Sequence, residues 1–203
     1  MKLMYITNEP ELAKIADSEG VDWIFIDLEI LGKDDRQGHL DTVISRHDVE
    51  DIPNVKKVLK RSELLVRVDP INPNSKEEIE KVIEYGADII MLPFFKHAGE
   101  VQEFLSFVNG RVKTCLLLET PESVEDLDNI LKLEGIDSIH VGLNDLHLGY
   151  NMKFMFELLS NGTVEKIINK IKKTSIIYGF GGIARVGEGT LSADMIIKEH
   201  VRL

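Results

Sequence analysis

Short apolar runs alternate with longer amphipathic stretches along the whole chain. Runs of four to eight apolar, β-branched or aromatic residues predict strands, and apolar positions repeating every three or four residues predict helices. The pattern predicts strands over 2–7 ("KLMYIT"), 22–29 ("DWIFIDLE"), 63–70 ("ELLVRVDP"), 88–94, 112–120, 138–143 and 176–184. Between them it predicts a helix from Glu9 to near Gly20, then helices over 54–61, 75–85, 98–108 and 122–133. A long helical region over 144–174 is broken at "SNGT", and "SADMIIKEHVRL" closes the chain as a helix. In the helix over 75–85, Ser75 with Glu78 three residues on predicts a capping box, and Gly86 supplies the stop.

Strands bounded by helices at this spacing build a parallel sheet. Seven such units, with no Gly-x-Gly-x-x-Gly after the first strand, favour the (β/α)8 TIM-barrel type over a dinucleotide fold. With no low-complexity linker or shift in composition, residues 1–203 are expected to form a single (β/α)-barrel domain. The count stops at seven. Either the barrel lacks its eighth strand or the chain is a piece of a longer protein. Both predict a homo-oligomer, because open edges on the first and seventh strands invite pairing.

Composition narrows the field. With 43% hydrophobic residues the chain can fill a core, and a formal net charge of -11 argues against nucleic-acid or anionic-membrane partners. The lone cysteine, Cys115, excludes an internal disulfide framework and suits a reducing, cytoplasmic setting. No apolar run approaches the roughly 20 residues that span a bilayer, and acids come too early for a signal peptide.

In a barrel of this type the chemistry gathers at the carboxyl ends of the strands. The polar residues there are Asp27 and Glu29 on strand two, Arg67 and Asp69 on strand three, Glu119 on strand five, and Asn144 and Asp145 after strand six. Glu119 and Asp145 close consecutive strands and could share one hard cation such as Mg²⁺ or Mn²⁺. The plainer alternative makes Asp145 the N-cap of a helix beginning at Leu146 and Glu119 a solvated strand end. Arg67 interrupts an apolar strand. It could face an anionic substrate, or form a structural ion pair with Asp69 or Glu29. Gly181 and Gly182 could let a carboxylate or phosphate approach the backbone, or simply form a tight turn.

Together "GVDWIFIDLE", "LLVRVDPIN", "GADIIMLPF", "LLLETPESVEDLDNI", "IHVGLNDLHLG" and "GGIAR" resemble, in order and spacing, the HpcH/HpaI aldolase and citrate lyase β-subunit family. That resemblance implies a metal-dependent barrel that makes or breaks carbon–carbon bonds beside a carbonyl, with a 2-oxo acid or acyl-CoA thioester as its small-molecule substrate. It implies Glu119 and Asp145 as ligands of Mg²⁺ or Mn²⁺, and Arg67 as the residue that holds the substrate carbonyl. Gly142, Asn144, Gly181 and Gly182 are the expected substrate-binding positions beside them.

The sequence departs from the family at one telling place. Where the aldolase branch reads "D-x-E-H" and the lyase branch "D-L-E-D", this chain has "DLEI", with Ile30 in the last position. Candidates for proton transfer are therefore Glu29, Asp27 and His39, the last in the polar loop "GKDDRQGHL". The expected function is a carbon–carbon lyase working through a metal-stabilised enolate. The alternative is a barrel that lost its base and survives as a metabolite-binding or regulatory protein.

Overall fold

The computed structural model describes residues 1–32, 45–183 and 187–203. Among them lie seven parallel strands whose order in the sheet is their order in the chain. These residues fall into two compact units, 2–93 with 99–115, and 94–98 with 116–203 and Met1.

The first unit carries β1 (Met4–Ile6), β2 (Trp23–Asp27), β3 (Glu63–Arg67), β4 (Ile89–Leu92) and the start of β5 (Lys113–Leu118). Its helices are α1 (Pro10–Ser18), α2 (Asp51–Lys56), α3 (Ser75–Glu84) and α4 (Ala98–Val108). Continuous apolar runs such as Leu64–Val66 and Ile89–Leu92 are buried throughout, as expected of parallel strands covered on both faces. The β2–β3 register pairs Trp23 with Glu63 and Asp27 with Arg67, so the acid and the base end their strands side by side.

The second unit carries the end of β5, β6 (Ser138–Gly142) and β7 (Ile177–Gly181), with β6 and β7 paired from Ser138–Ile177 to Gly142–Gly181. Its helices are α5 (Pro121–Glu125), α6 (Leu127–Ile130), α7 (Leu143–Gly149), α8 (Glu157–Ser160), α9 (Thr163–Ile171) and α10 (Ala193–Arg202). In α9 the buried stripe is Val164, Ile167, Ile168 and Ile171, the spacing that one helical face requires.

Several helix boundaries move from their expected places, each for a local reason. The helix expected over 54–61 runs Asp51–Lys56 instead. Pro53 sits in its first turn, where no N–H is required. The turn that follows is held by the Asp17 carboxylate, which accepts the amides of Lys60, Arg61 and Ser62. The stretch over 122–133 divides at Asp126, whose carboxylate accepts the Ala98 N–H and the Asn129 side-chain amide. The region over 144–174 breaks at 161–162 and again between Tyr150 and Phe156. The capping box at Ser75 does not form. Asn74 is the N-cap without a side-chain bond, Ser75 Oγ accepts from Asn72 N–H, and Glu78 turns toward Asp69.

Candidate active site

In the second unit the site is built around the end of β5. After Leu118 the chain turns sharply, because Thr120 caps α5 through its hydroxyl, which accepts the Ser123 N–H and donates to the Phe95 carbonyl. The turn buries Glu119, which is 3% exposed, and sets its Oε1 3.0 Å from the Phe94 N–H. Phe94 itself holds φ at 49°, a conformation a bulky residue adopts only where its surroundings impose it.

Two glycines bring α7 against this turn. A Cβ at Gly142 would lie 2.8 Å from Glu119 Oε2 and 2.9 Å from its Cβ, so only glycine lets the end of β6 approach the carboxylate. A Cβ at Gly149, at the other end of α7, would lie 2.6 Å from Pro121 Cδ. Asp145 stands between these contacts, 6% exposed, in the first turn of a helix that starts at Leu143. Gly142, not Asp145, is the N-cap, so the capping alternative for Asp145 does not apply. Asn144 is half-buried at the same turn, and its backbone carbonyl accepts from the His147 ring. The buried His147 ring donates through Nδ1 within its own helix, to the carbonyls of Leu143 and Asn144.

The two glycines at the end of β7 behave differently from each other. A Cβ at Gly181 would meet His140 Nε2 at 2.9 Å, so this glycine makes room for the imidazole on the adjacent strand. Around a Cβ added at Gly182, just past the strand, no atom of the described residues lies within 4 Å.

The corresponding cluster in the first unit centres on Arg67. Its Nε and Nη2 donate to Oδ1 and Oδ2 of Asp27, each at 2.8 Å, and its Nη1 lies 3.4 Å from Glu29 Oε2. The guanidinium also lies 5.5 Å from the Phe25 ring centroid. Both acids are 2% exposed, and such a planar fork on a buried carboxylate fixes orientation as well as charge. Of the two ion pairs that the sequence allowed, the one with Glu29 forms and the one with Asp69 does not. Asp69 instead accepts the backbone amides of Ile30 and Leu31 at 2.7 and 2.9 Å.

Two further residues at these strand ends escape sequence reasoning. His47 Nδ1 accepts the Asp27 N–H at 3.0 Å, which places the proton of the neutral ring on Nε2. Glu78 accepts the Asp69 N–H at 3.1 Å. Burial, which is the largest cause, and the nearby Asp69 charge push its carboxyl up to about 7. Both residues line a cavity of about 390 Å³ together with Leu28, Ile30, Leu31 and Asp69. Ile30 is 69% exposed and brings no titratable group to the place where the family pattern has one. No periodicity marks His47, and the Ser75 spacing points Glu78 to the wrong partner. His39 lies outside the described residues.

Among the described residues no three His, Cys, Asp or Glu side chains gather as a metal cage. The pair Glu119 and Asp145 still suits a hard cation of the Mg²⁺ type, which keeps several waters and takes one or two carboxylates from the protein. The close approach of Gly142 to the Glu119 carboxylate, in a cradle that a Cβ would fill, is the observation that supports the fit.

Parallel β/α units with buried acids and an oriented arginine at the strand ends are the features that the chain presents for comparison with known enzymes. The HpcH/HpaI aldolase/citrate lyase family model matches residues 2–178, and the chain belongs to that family, whose members are carbon–carbon lyases. The crystal structure of an HpcH/HpaI aldolase from Desulfitobacterium hafniense DCB-2 superposes with a TM-score of 0.72 at 15% identity, covering 98% of this chain and 83% of that one. A hydroxypyruvate/pyruvate aldolase of Roseovarius nubinhibens is 23% identical over 199 residues, 90% of this chain and 76% of that enzyme. A pyruvate kinase of Agrobacterium vitis is 29% identical over 79 residues. That match takes in 39% of this chain and spans only 16% of the kinase's length.

Proposed function

We propose that the protein is a divalent-metal-dependent carbon–carbon lyase that cleaves or forms a bond next to the carbonyl of a 2-oxo acid, on a (β/α)-barrel scaffold. Glu119 and Asp145 would hold Mg²⁺ or Mn²⁺. The observation that carries this reading is the glycine contact of Gly142 on the Glu119 carboxylate, with Asp145 three residues beyond it in α7. When bound, the ion supplies Lewis acidity for the enolate formed on cleavage.

The chain's own residues do the rest. In the first unit Arg67, oriented by its fork on Asp27, is the residue that would hold the substrate carbonyl and neutralise the charge developing there. Asp27 is thereby a positioning residue, and Glu29, 3.4 Å from the same guanidinium, holds its second side. Asn144 and the backbone at Gly182 offer polar contacts to the substrate carboxylate. An acyl-CoA thioester in place of the 2-oxo acid would use the same acids and arginine.

A second reading is favoured by one observation, the exposed Ile30: a barrel that binds metal and metabolite without turnover. Pyruvate release from 4-hydroxy-2-oxo acids and oxaloacetate, coupled to a dehydrogenase, separates the two. Turnover that chelator abolishes and Mn²⁺ restores is the expected result, with Glu119→Ala and Asp145→Ala both losing Mn²⁺ affinity by about 10-fold or more. Metal binding in the unchanged protein without turnover across the panel would establish the second reading. Unchanged Mn²⁺ affinity in both variants would sink the metal assignment.

A further inference from the structure

The cavity at the ends of β2 and β3 is walled by a relay of three backbone-to-carboxylate contacts. Glu78, on α3, accepts the Asp69 N–H at 3.1 Å. Asp69 in turn accepts the N–H groups of Ile30 and Leu31 at 2.7 and 2.9 Å. These two amides follow Glu29 directly, and Glu29 lies beside Arg67.

We propose that Glu78 is a proton-sensitive positioning residue that acts through Asp69 on the backbone of Ile30 and Leu31, and so on the seating of Glu29 against Arg67. The importance of that seating for turnover rests on the lyase reading above; the relay itself does not.

The geometry supports this in two ways. Among the described residues no cation pairs with either Glu78 or Asp69, and the Glu78 carboxyl sits on the backbone N–H of the residue that carries the second carboxylate. Among the described residues, the other charged or titratable groups around the cavity are His47 and Asp48, from the segment before α2, and Lys81 on α3 itself. The Lys81 ammonium is drawn 3.7 Å from Glu50, on the same side as the Tyr85 hydroxyl that Glu50 also accepts. With Glu78 neutral, its carbonyl oxygen still accepts the Asp69 N–H, and the Asp69 charge acts undivided on the two loop amides. Loss of the Glu78 proton to solvent places a second negative charge beside Asp69, and like charges at this range repel. The burial that holds the Glu78 carboxyl up near neutrality sets the range in which the relay responds.

The test follows the ¹⁵N-labelled protein by NMR from about pH 5 to about pH 9, a window bracketing the ionisation of a group held near neutrality. The amides of Ile30 and Leu31 should shift together with a midpoint of about 7. The shift should survive in His47→Asn and vanish in Glu78→Gln, which keeps the oxygen that accepts from Asp69. The same inflection should appear in kcat for pyruvate release and be lost in Glu78→Gln, with KM changed less than about twofold, since uniform binding is untouched. Persistence of the amide inflection in Glu78→Gln overturns the proposal, as does its loss in His47→Asn. A kcat that ignores the ionisation removes the positioning role. Titrating amides in a protein that turns over no 2-oxo acid would support the relay and refute the lyase reading instead.

Discussion

Replacing Gly142 by alanine is the sharpest perturbation that the structure suggests. The residue has φ -81° and ψ 95°, a conformation open to any L-amino acid, so alanine meets no backbone penalty. The cost is therefore steric. The new methyl would lie 2.8 Å from Glu119 Oε2, 2.9 Å from Glu119 Cβ and 3.1 Å from Leu117 Cδ1. Leu117 is 5% exposed and Glu119 3%, and Thr120 is clamped by the α5 cap, so neither neighbour can retreat into solvent. Overpacking of this kind costs about 1–3 kcal/mol. A fall of that size lowers the urea midpoint by about 1 M for a protein whose urea dependence is about 2 kcal/mol per M. The displaced carboxylate should also lose about 10-fold or more in Mn²⁺ affinity, since placement of a ligand matters as much as its identity. Urea unfolding and Mn²⁺ titration measure both losses. Gly99→Ala is the control, because nothing lies within 4 Å of its added methyl inside α4, and alanine there should be neutral or slightly stabilising. A Gly142→Ala protein with the midpoint and Mn²⁺ affinity of the unchanged chain would refute the packing argument, and with it the cradle on which the metal assignment leans.

Two further outcomes are expected. Arg67→Lys keeps the charge but loses the two 2.8 Å bonds to Asp27, and kcat/KM for pyruvate release should fall by about 10- to 100-fold; an unchanged value would remove Arg67 from the mechanism. For stability, Glu78 carries a folded-state pKa of about 7 against an ordinary 4.5, so its neutral form is the one folding favours. The contribution is complete below about pH 4.5 and is lost as pH rises through about 7. Glu78→Gln should therefore gain on the unchanged protein with rising pH, by up to about 3 kcal/mol near pH 8, and the two curves should run parallel below about pH 4. Parallel curves over the whole range, read by urea unfolding at each pH, would show that Glu78 is not held neutral.

By itself the sequence determines the alternation of strands and helices, because that alternation is written in local hydrophobic periodicity and in stops such as Gly20, Gly86 and the pair Asn109–Gly110. It also points to the strand-end acids and Arg67, since a charged residue breaking an apolar run has few reasons to be there. Helix limits are less legible. Pro53 looks like a stop and is tolerated in a first turn, and Asp17 and Asp126 end helices through amides that lie 43 and 28 residues away along the chain. Tertiary structure alone decides which partner each polar group takes. Asp27, not Asp69, receives the Arg67 fork because the β2–β3 register sets Asp27 opposite Arg67. Glu78 serves Asp69 rather than its own helix terminus, and His47 reaches the Asp27 amide from 20 residues away. Gly142 is ordinary in sequence. Its role exists only because β6 brings its backbone against the carboxylate that follows β5. Periodicity is a property of neighbours along the chain and survives in the sequence, whereas hydrogen-bond partners and close approaches are properties of register and packing, which no local pattern encodes.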